Sequence, residues 1–213
     1  VTVTNNLFTG NDVCPLRMRP ADLPWMSNNL FWGNACNRIV LQGEATLPAD
    51  ATLEYVPDYY YEIHPNLTVP SSVTLTVEAG VTVRWAGRLD VQGRLIANGT
   101  PERPILFTSL ADSAPGQWQG IGAQNAQIDL AYITLRYAGS ADFQAALRMI
   151  DGRASIRASS IISNSHWGIE LMGSAYEFSI NGSDIRDNGW GGLSALWKAV
   201  DARYNWWGHP SGP

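Results

Sequence analysis

The chain repeats itself about every 23 residues, and a fixed period of that size constrains the fold more than any single motif does. Thr4-Asn5-Asn6-Leu7-Phe8-Thr9-Gly10-Asn11 returns as Ser27-Asn28-Asn29-Leu30-Phe31-Trp32-Gly33-Asn34, with Asn6 and Asn29 separated by 23. A second register runs through the C-terminal half. Ala154, Ile156, Ser159 and Ile161 return as Phe178, Ile180, Ser183 and Ile185, then as Val200, Ala202, Asn205 and Trp207. Repeats of this size are units that cannot bury an apolar face alone and must stack on their neighbours.

Inside each unit the apolar spacing is two, the period of a strand. Leu75 and Val77, Val81 and Val83, Leu89 and Val91, and Ile105 and Phe107 are such pairs, and Gly80, Gly87, Gly93, Gly99 and Pro104 punctuate them. No window sustains a helical stripe beyond two turns. A unit of this length wraps once around a solenoid as three short strands and three turns. Successive turns then pair in parallel at ~4.8 Å. Dividing the chain by its period predicts roughly nine coils. Asn6, Asn29 and Asn205, with Ser159 and Ser183, fall at a corner of the unit. Asn tolerates the left-handed conformation that a sharp corner needs, and stacked amides hydrogen-bond along the axis.

Three further stretches carry a resemblance. Val69-Pro70-Ser71-Ser72-Val73-Thr74-Leu75-Thr76-Val77-Glu78-Ala79-Gly80-Val81-Thr82-Val83 reads as an opening coil. Leu89 to Thr100 and Pro104 to Ser109 read as the coils that follow, and Asn205-Trp206-Trp207-Gly208 through Pro213 as a closing motif. These segments resemble the right-handed parallel β-helix repeat family, the pectate-lyase-like solenoids of secreted bacterial or archaeal surface proteins. The resemblance implies an all-β, right-handed parallel β-helix. It does not imply one function, because the family hosts lyases, hydrolases, adhesins, phage fibres and surface proteins. The order of the motifs predicts residues 1–42 as late coils of a preceding module, 43–65 as a connecting or capping segment, and 66–213 as a module. It also predicts that the chain is an excerpt of a tandem array or a permuted module stacking head to tail. Open strand edges at both ends would then recruit further strands.

Lys plus Arg number 14 against 19 Asp plus Glu, a net charge of −5. That balance lacks the basic footprint of a nucleic-acid binder, and no apolar run approaches the ~18 residues of a membrane span. Cys14 and Cys36 lie 22 residues, one coil, apart. Stacking would bring them within reach of a disulfide, which predicts an extracellular or cell-surface setting; the other reading is two buried thiols. The 9 Trp and 8 Tyr exceed what a narrow interior is expected to hold, which predicts many rings at turns or on the outer face.

Candidate sites are few. His64, His166 and His209 show no metal-ligand spacing, no Ser sits in a nucleophile elbow, and no cofactor is expected. The resemblance would bring clustered calcium carboxylates with an Arg or Lys base, and Asp151, Arg153 and Arg157 are the nearest approach to them. Polygalacturonase-like sites carry paired Asp with Gly-His-Gly and Arg-Ile-Lys, which do not occur here. Trp167 and Trp190, about one coil apart with His166 and Glu170 nearby, read first as a pair of Trp stacked to cover a turn. The functional reading is an aromatic platform for a sugar ring, with these four as the ligand-binding candidates. Tyr55 and Tyr59-Tyr60-Tyr61 are expected to plug an end of the solenoid. The favoured function is a non-catalytic extracellular solenoid module, structural or adhesive, binding polysaccharide or other surface molecules or assembling end to end. The alternative is a polysaccharide lyase or glycoside hydrolase using His166, Arg153, Arg157, Glu170 and Asp187.

Overall fold

Parallel strands stacked from coil to coil form two large sheets in the computed structural model, which describes residues 1–210. Ser211, Gly212 and Pro213 of the closing motif lie outside the described residues. One sheet has eight strands, Leu16–Met18, Arg38–Leu41, Tyr60–Ile63, Thr82–Trp85, Ile105–Ser109, Ile133–Arg136, Ser160–Ile162 and Asp184–Arg186. The other has nine, Ala51–Leu53, Leu67–Val69, Thr74–Val77, Arg88–Val91, Arg94–Asn98, Gly120–Ala131, Ala145–Arg157, Trp167–Asn181 and Gly191–Ala195. The fold is therefore the all-β parallel solenoid expected of the repeat, with about 8 turns. The one departure from strand and turn among the described residues is a short 3-10 segment, Pro20–Trp25.

The turn count falls below nine because the later coils are longer. Ile39 pairs with Tyr61, a step of 22, but Phe107 pairs with Leu135, a step of 28. The extra length is a loop over residues 110–119. Its Asp112 accepts from Arg136 Nε at 2.8 Å and Nη2 at 2.6 Å, and from Thr108 Oγ1 at 2.5 Å. Burial pushes the Asp112 carboxyl up, and the bonds from Arg136 and Thr108 pull it further down, below its ordinary value.

Alternation puts one column of each strand inside. Leu16, Ile39, Tyr61, Val83, Phe107, Leu135, Ile161 and Ile185 stand above one another in register. All but the first are buried, and each fully buried Ile or Leu contributes about 1.5–3 kcal/mol relative to exposure. Many Trp and Tyr rings do stand outside, as the composition suggested, among them Trp25, Trp32, Trp190, Trp197, Tyr132 and Tyr204, but the interior holds some large rings as well. Trp85, Trp118, Tyr176 and Phe107 are fully buried. Trp118 folds inward from the long loop, stacks on Trp85 at 5.9 Å between centroids, and donates its indole N–H to the Arg136 carbonyl at 2.8 Å. Residues 43–65 contribute Ala51–Leu53, paired to Thr74–Val77, and Tyr60–Ile63, paired to the coils on either side. Tyr61 thus lies inside the stack rather than at an end, and its hydroxyl donates to the Glu54 carbonyl at 3.0 Å.

Corners are held by side-chain ladders. Asn29 Oδ1 accepts from the backbone N–H and the Nδ2 of Asn6, both at 3.0 Å, and Asn29 Nδ2 donates to the Val3 carbonyl at 2.8 Å. Asn11 and Asn34 repeat the arrangement, as do Asn164 and Asn188. A separate ladder runs from the Ile133 N–H to Ser159, from the Ser159 N–H to Ser183, and from the Ser183 N–H to Asn205. The left-handed residue is not the ladder residue, as the sequence suggested, but the one before it. Asn5, Asn28, Ala158, Ser163, Asp187 and Tyr204 all have φ between 46° and 62°. The turn residue swings the chain so that the next side chain points along the axis.

Asn29→Leu should cost ~1–3 kcal/mol in urea unfolding, because the Asn6 N–H and Nδ2 lose their acceptor and the Val3 carbonyl loses its donor. Asn28→Val should cost a similar ~1–3 kcal/mol through backbone strain alone. Asp112, with its folded pKa depressed, adds stability that is present above about pH 4 and is lost as pH falls below that. Arg136→Met removes the cause, so its fall in melting temperature between pH 5 and pH 3 should be smaller than the parent's in calorimetry.

Candidate functional site: a cleft over Gly122

The outward column of the nine-stranded sheet reads Thr68, Asp90, Gly122, Arg148, Glu170 and Ser194 in register. Its centre has no side chain. A cleft of about 400 Å³ opens there, lined by Arg88, Asp90, Gln92, Gly122, Gln124, Asp142, Phe143 and Arg148 among others. A Cβ on Gly122 would stand 3.3 Å from both Asp90 Oδ1 and Phe143 Cζ, so glycine keeps the floor open.

Two ion pairs form the walls. Arg88 Nε and Nη2 donate to Asp90 Oδ1 and Oδ2 at 2.5 and 3.1 Å. Arg148 Nε donates to Glu170 Oε2 at 2.6 Å. Phe143 is carried across the sheet by the turn that follows Gly139, closed by its own N–H to the Ser140 carbonyl at 2.9 Å. Its ring lies between the guanidiniums, 5.1 Å from Arg88 Cζ and 4.8 Å from Arg148 Cζ. The negative ring face attracts both cations and holds them upright beside the cleft.

The hollow continues around the bend of the sheet. Ser71, Gln92, Gln124 and Asn125 line the next section, and Arg94, Gln127, Arg153 and Glu177 the one beyond. Asn125 and Asp151, at φ 50° and 56°, make the bend within single long strands. Each arginine along the way has a carboxylate partner, Arg94 with Asp129 and Arg153 with Glu177, both at 2.7 Å.

The residues singled out from the sequence are dispersed. Glu170 is in the wall of the cleft, bonded to Arg148. Arg153 pairs with Glu177 past the bend, Arg157 reaches Asn98 at 3.4 Å, and Asp187 pairs with Arg186 at a corner beside the other sheet. His166 Nδ1 lies 2.7 Å from the Gly139 carbonyl and 2.7 Å from Ser165 Oγ, tying the Phe143 turn to the next coil. No hydrogen bond or ion pair joins these five side chains to one another among the described residues. Trp167 and Trp190 meet edge to face at 6.5 Å and 85°, not as parallel plates. The Trp190 N–H pairs with the His166 carbonyl, and Trp167 is in register with Gly191. The Trp167 ring therefore lies over Gly191, where a Cβ would come 2.5 Å from Cζ3, while Trp190 packs on His166 at 4.4 Å. Trp190 remains 52% exposed, an apolar surface beside the cleft strands.

Arg88, Asp90, Arg148 and Phe143 escaped the sequence reading. A constant period does not align them. The steps from Asp90 to Gly122 to Arg148 to Glu170 are 32, 26 and 22. Among the described residues no three His, Cys, Asp or Glu are placed to hold a metal ion, and no helix is long and apolar enough to cross a membrane. No family model, curated protein or solved structure matches the chain.

Phe143→Leu keeps apolar bulk over the cleft and removes both cation–ring contacts. It should cost ~1–2 kcal/mol in chemical denaturation, while Arg88→Met in the Phe143→Leu background should cost less than it does alone, in a double-mutant cycle.

Proposed function

We propose that the chain is a non-catalytic parallel β-solenoid module that binds a neutral polysaccharide in the groove centred on Gly122. The observation that carries this reading is the open, charge-balanced floor between two guanidinium–carboxylate pairs. Arg88 and Arg148 are matched by Asp90 and Asp142 in the lining, and Glu170 stands behind Arg148. A polyanionic glycan gains little there, because each groove arginine already has a carboxylate, and displacing one leaves a like charge facing the ligand. Sugar hydroxyls, which both donate and accept, fit the remaining N–H donors, carboxylate lone pairs and the amides of Gln92 and Gln124 without disturbing the pairs. The groove runs across several coils, which suits an extended chain rather than a single sugar.

The reading carries an extracellular or cell-surface location with it, where such polymers are met. The pectate-lyase-like resemblance supports the same setting, because its members act on or among surface glycans. The dispersal of His166, Arg153, Arg157, Glu170 and Asp187 favours binding over turnover.

Titration calorimetry with neutral β-glucans, xylan and polygalacturonate tests the proposal. Neutral polymers should bind and polygalacturonate should not. Gly122→Leu, checked for an unchanged circular dichroism spectrum, should lower affinity at least about tenfold by filling the cleft, ~1.4 kcal/mol. Preference for the polyuronate, or release of reducing or unsaturated ends from any of the three, would contradict it.

A further inference from the structure

Cys14 and Cys36 lie on adjacent coils with their Sγ atoms 2.7 Å apart, and both are half-buried. The stacking that the sequence predicted is present. What the sequence did not suggest is the cation between them. Arg38 Nε donates toward both sulfurs, at 3.0 Å to Cys14 and 3.2 Å to Cys36. Its Nη1 donates to Glu62 Oε2 at 2.9 Å, and Glu62 Oε1 lies 2.7 Å from His64 Nε2. Glu62 is buried, so its two partners fix its carboxylate and the carboxylate fixes the guanidinium beneath the sulfurs.

A neutral thiol is a weak acceptor and a thiolate a strong one. A guanidinium held against two sulfurs by a buried carboxylate is therefore an arrangement for stabilising sulfur anions. A purely structural disulfide has no use for it. We propose that Cys14 and Cys36 form an exchange-active dithiol, in which Cys14 attacks low-molecular-weight disulfides and Cys36 resolves the product, with Arg38 as the positioning residue.

The Cys14 thiolate, its proton already lost to solvent, attacks one sulfur of the small disulfide. A Cys14–S–S–R bond forms, and one R–S⁻ leaves. Arg38 then has only Cys36 to serve. Cys36 loses its proton to solvent and its thiolate attacks the Cys14 sulfur, forming the Cys14–Cys36 bond and expelling the second R–S⁻. Two protein thiols are oxidised, and one disulfide is reduced to two thiols. The order follows from the place of the guanidinium, whose Nε lies nearer Cys14, at 3.0 Å, than Cys36, at 3.2 Å. Burial pushes the Cys14 thiol up, but hydrogen bonds from Cys36 and Arg38 bring it below its ordinary value. Burial and the bond given to Cys14 hold Cys36 above its own. The charged groups facing Cys14 are Arg38 and, beyond it, Glu62, with His64 against Glu62. Closure ties the first coil to the second, and reduction releases it, so the state of the N-terminal coils follows the thiol–disulfide balance around them.

The test is the pH profile of alkylation of the reduced full chain by iodoacetamide, read by mass spectrometry at each cysteine. Cys14 should react first, with a midpoint below the ~8.5 of an ordinary cysteine. Oxidised glutathione should convert the reduced chain to the intramolecular disulfide, and should stop at a mixed disulfide on Cys14 in Cys36→Ser. Arg38→Gln should slow the reaction at pH 7 at least about tenfold, one pKa unit of thiolate, and Arg38→Lys should recover part of it. An ordinary Cys14 midpoint, faster alkylation of Cys36, or a native disulfide that small thiols reduce only in denaturant would each overturn the proposal. The parent and Cys36→Ser measurements decide it even if Arg38→Gln does not fold.

Discussion

Parallel pairing between coils is the constraint on which everything else in this molecule depends. A single coil has short strands, an apolar inner column and no partner of its own for either. Only the next coil supplies hydrogen bonds to its backbone and covers its inner side chains. In-register stacking then places residues one coil apart above one another all along the chain. This explains why Asn sits over Asn at the corners and why Cys14 meets Cys36. It also explains the cleft. An outward column is free to vary, and a glycine at one rung leaves a gap between side chains that the rungs above and below hold in place.

The corner ladders and the inner column divide the work of specificity. The inner column stabilises the stack but tolerates sliding, since one Ile over another resembles the next. Asn and Ser at the corners do not tolerate it, because each side-chain oxygen must meet one backbone N–H in the preceding coil. The left-handed residue before each ladder residue fixes the direction of that oxygen. Register is therefore set at the corners, and it is register that brings Arg148 beside Glu170 and places Arg38 beneath two sulfurs.

The strand period, the parallel stack and the corner Asn were all legible in the residues, because each is local or repeats. Cys14 over Cys36 was legible too, since the coil containing them has the basic period. What was not legible depends on departures from that period. The 110–119 loop lengthens one coil, moves Trp118 inward and shifts Asp90, Gly122 and Arg148 out of any fixed spacing. Trp167 and Trp190 illustrate the same limit in miniature. A register of 24 instead of 23 sets Trp190 on His166 and turns an expected ring stack into an edge contact. Tyr61 failed for a different reason. It was expected to plug an end of the solenoid, yet its strand pairs with a coil on each side and the Glu54 carbonyl accepts its hydroxyl inside the stack.

Carbene footprinting with and without a neutral oligosaccharide tests the central functional claim most directly, because it reports which outward side chains the ligand covers. The account predicts protection of Gln92, Gln124, Asp142 and Arg148, on one continuous stretch across the Gly122 floor, with Trp190 unchanged. Protection confined to Trp190 and its neighbours, with the cleft side chains labelled as before, would contradict it.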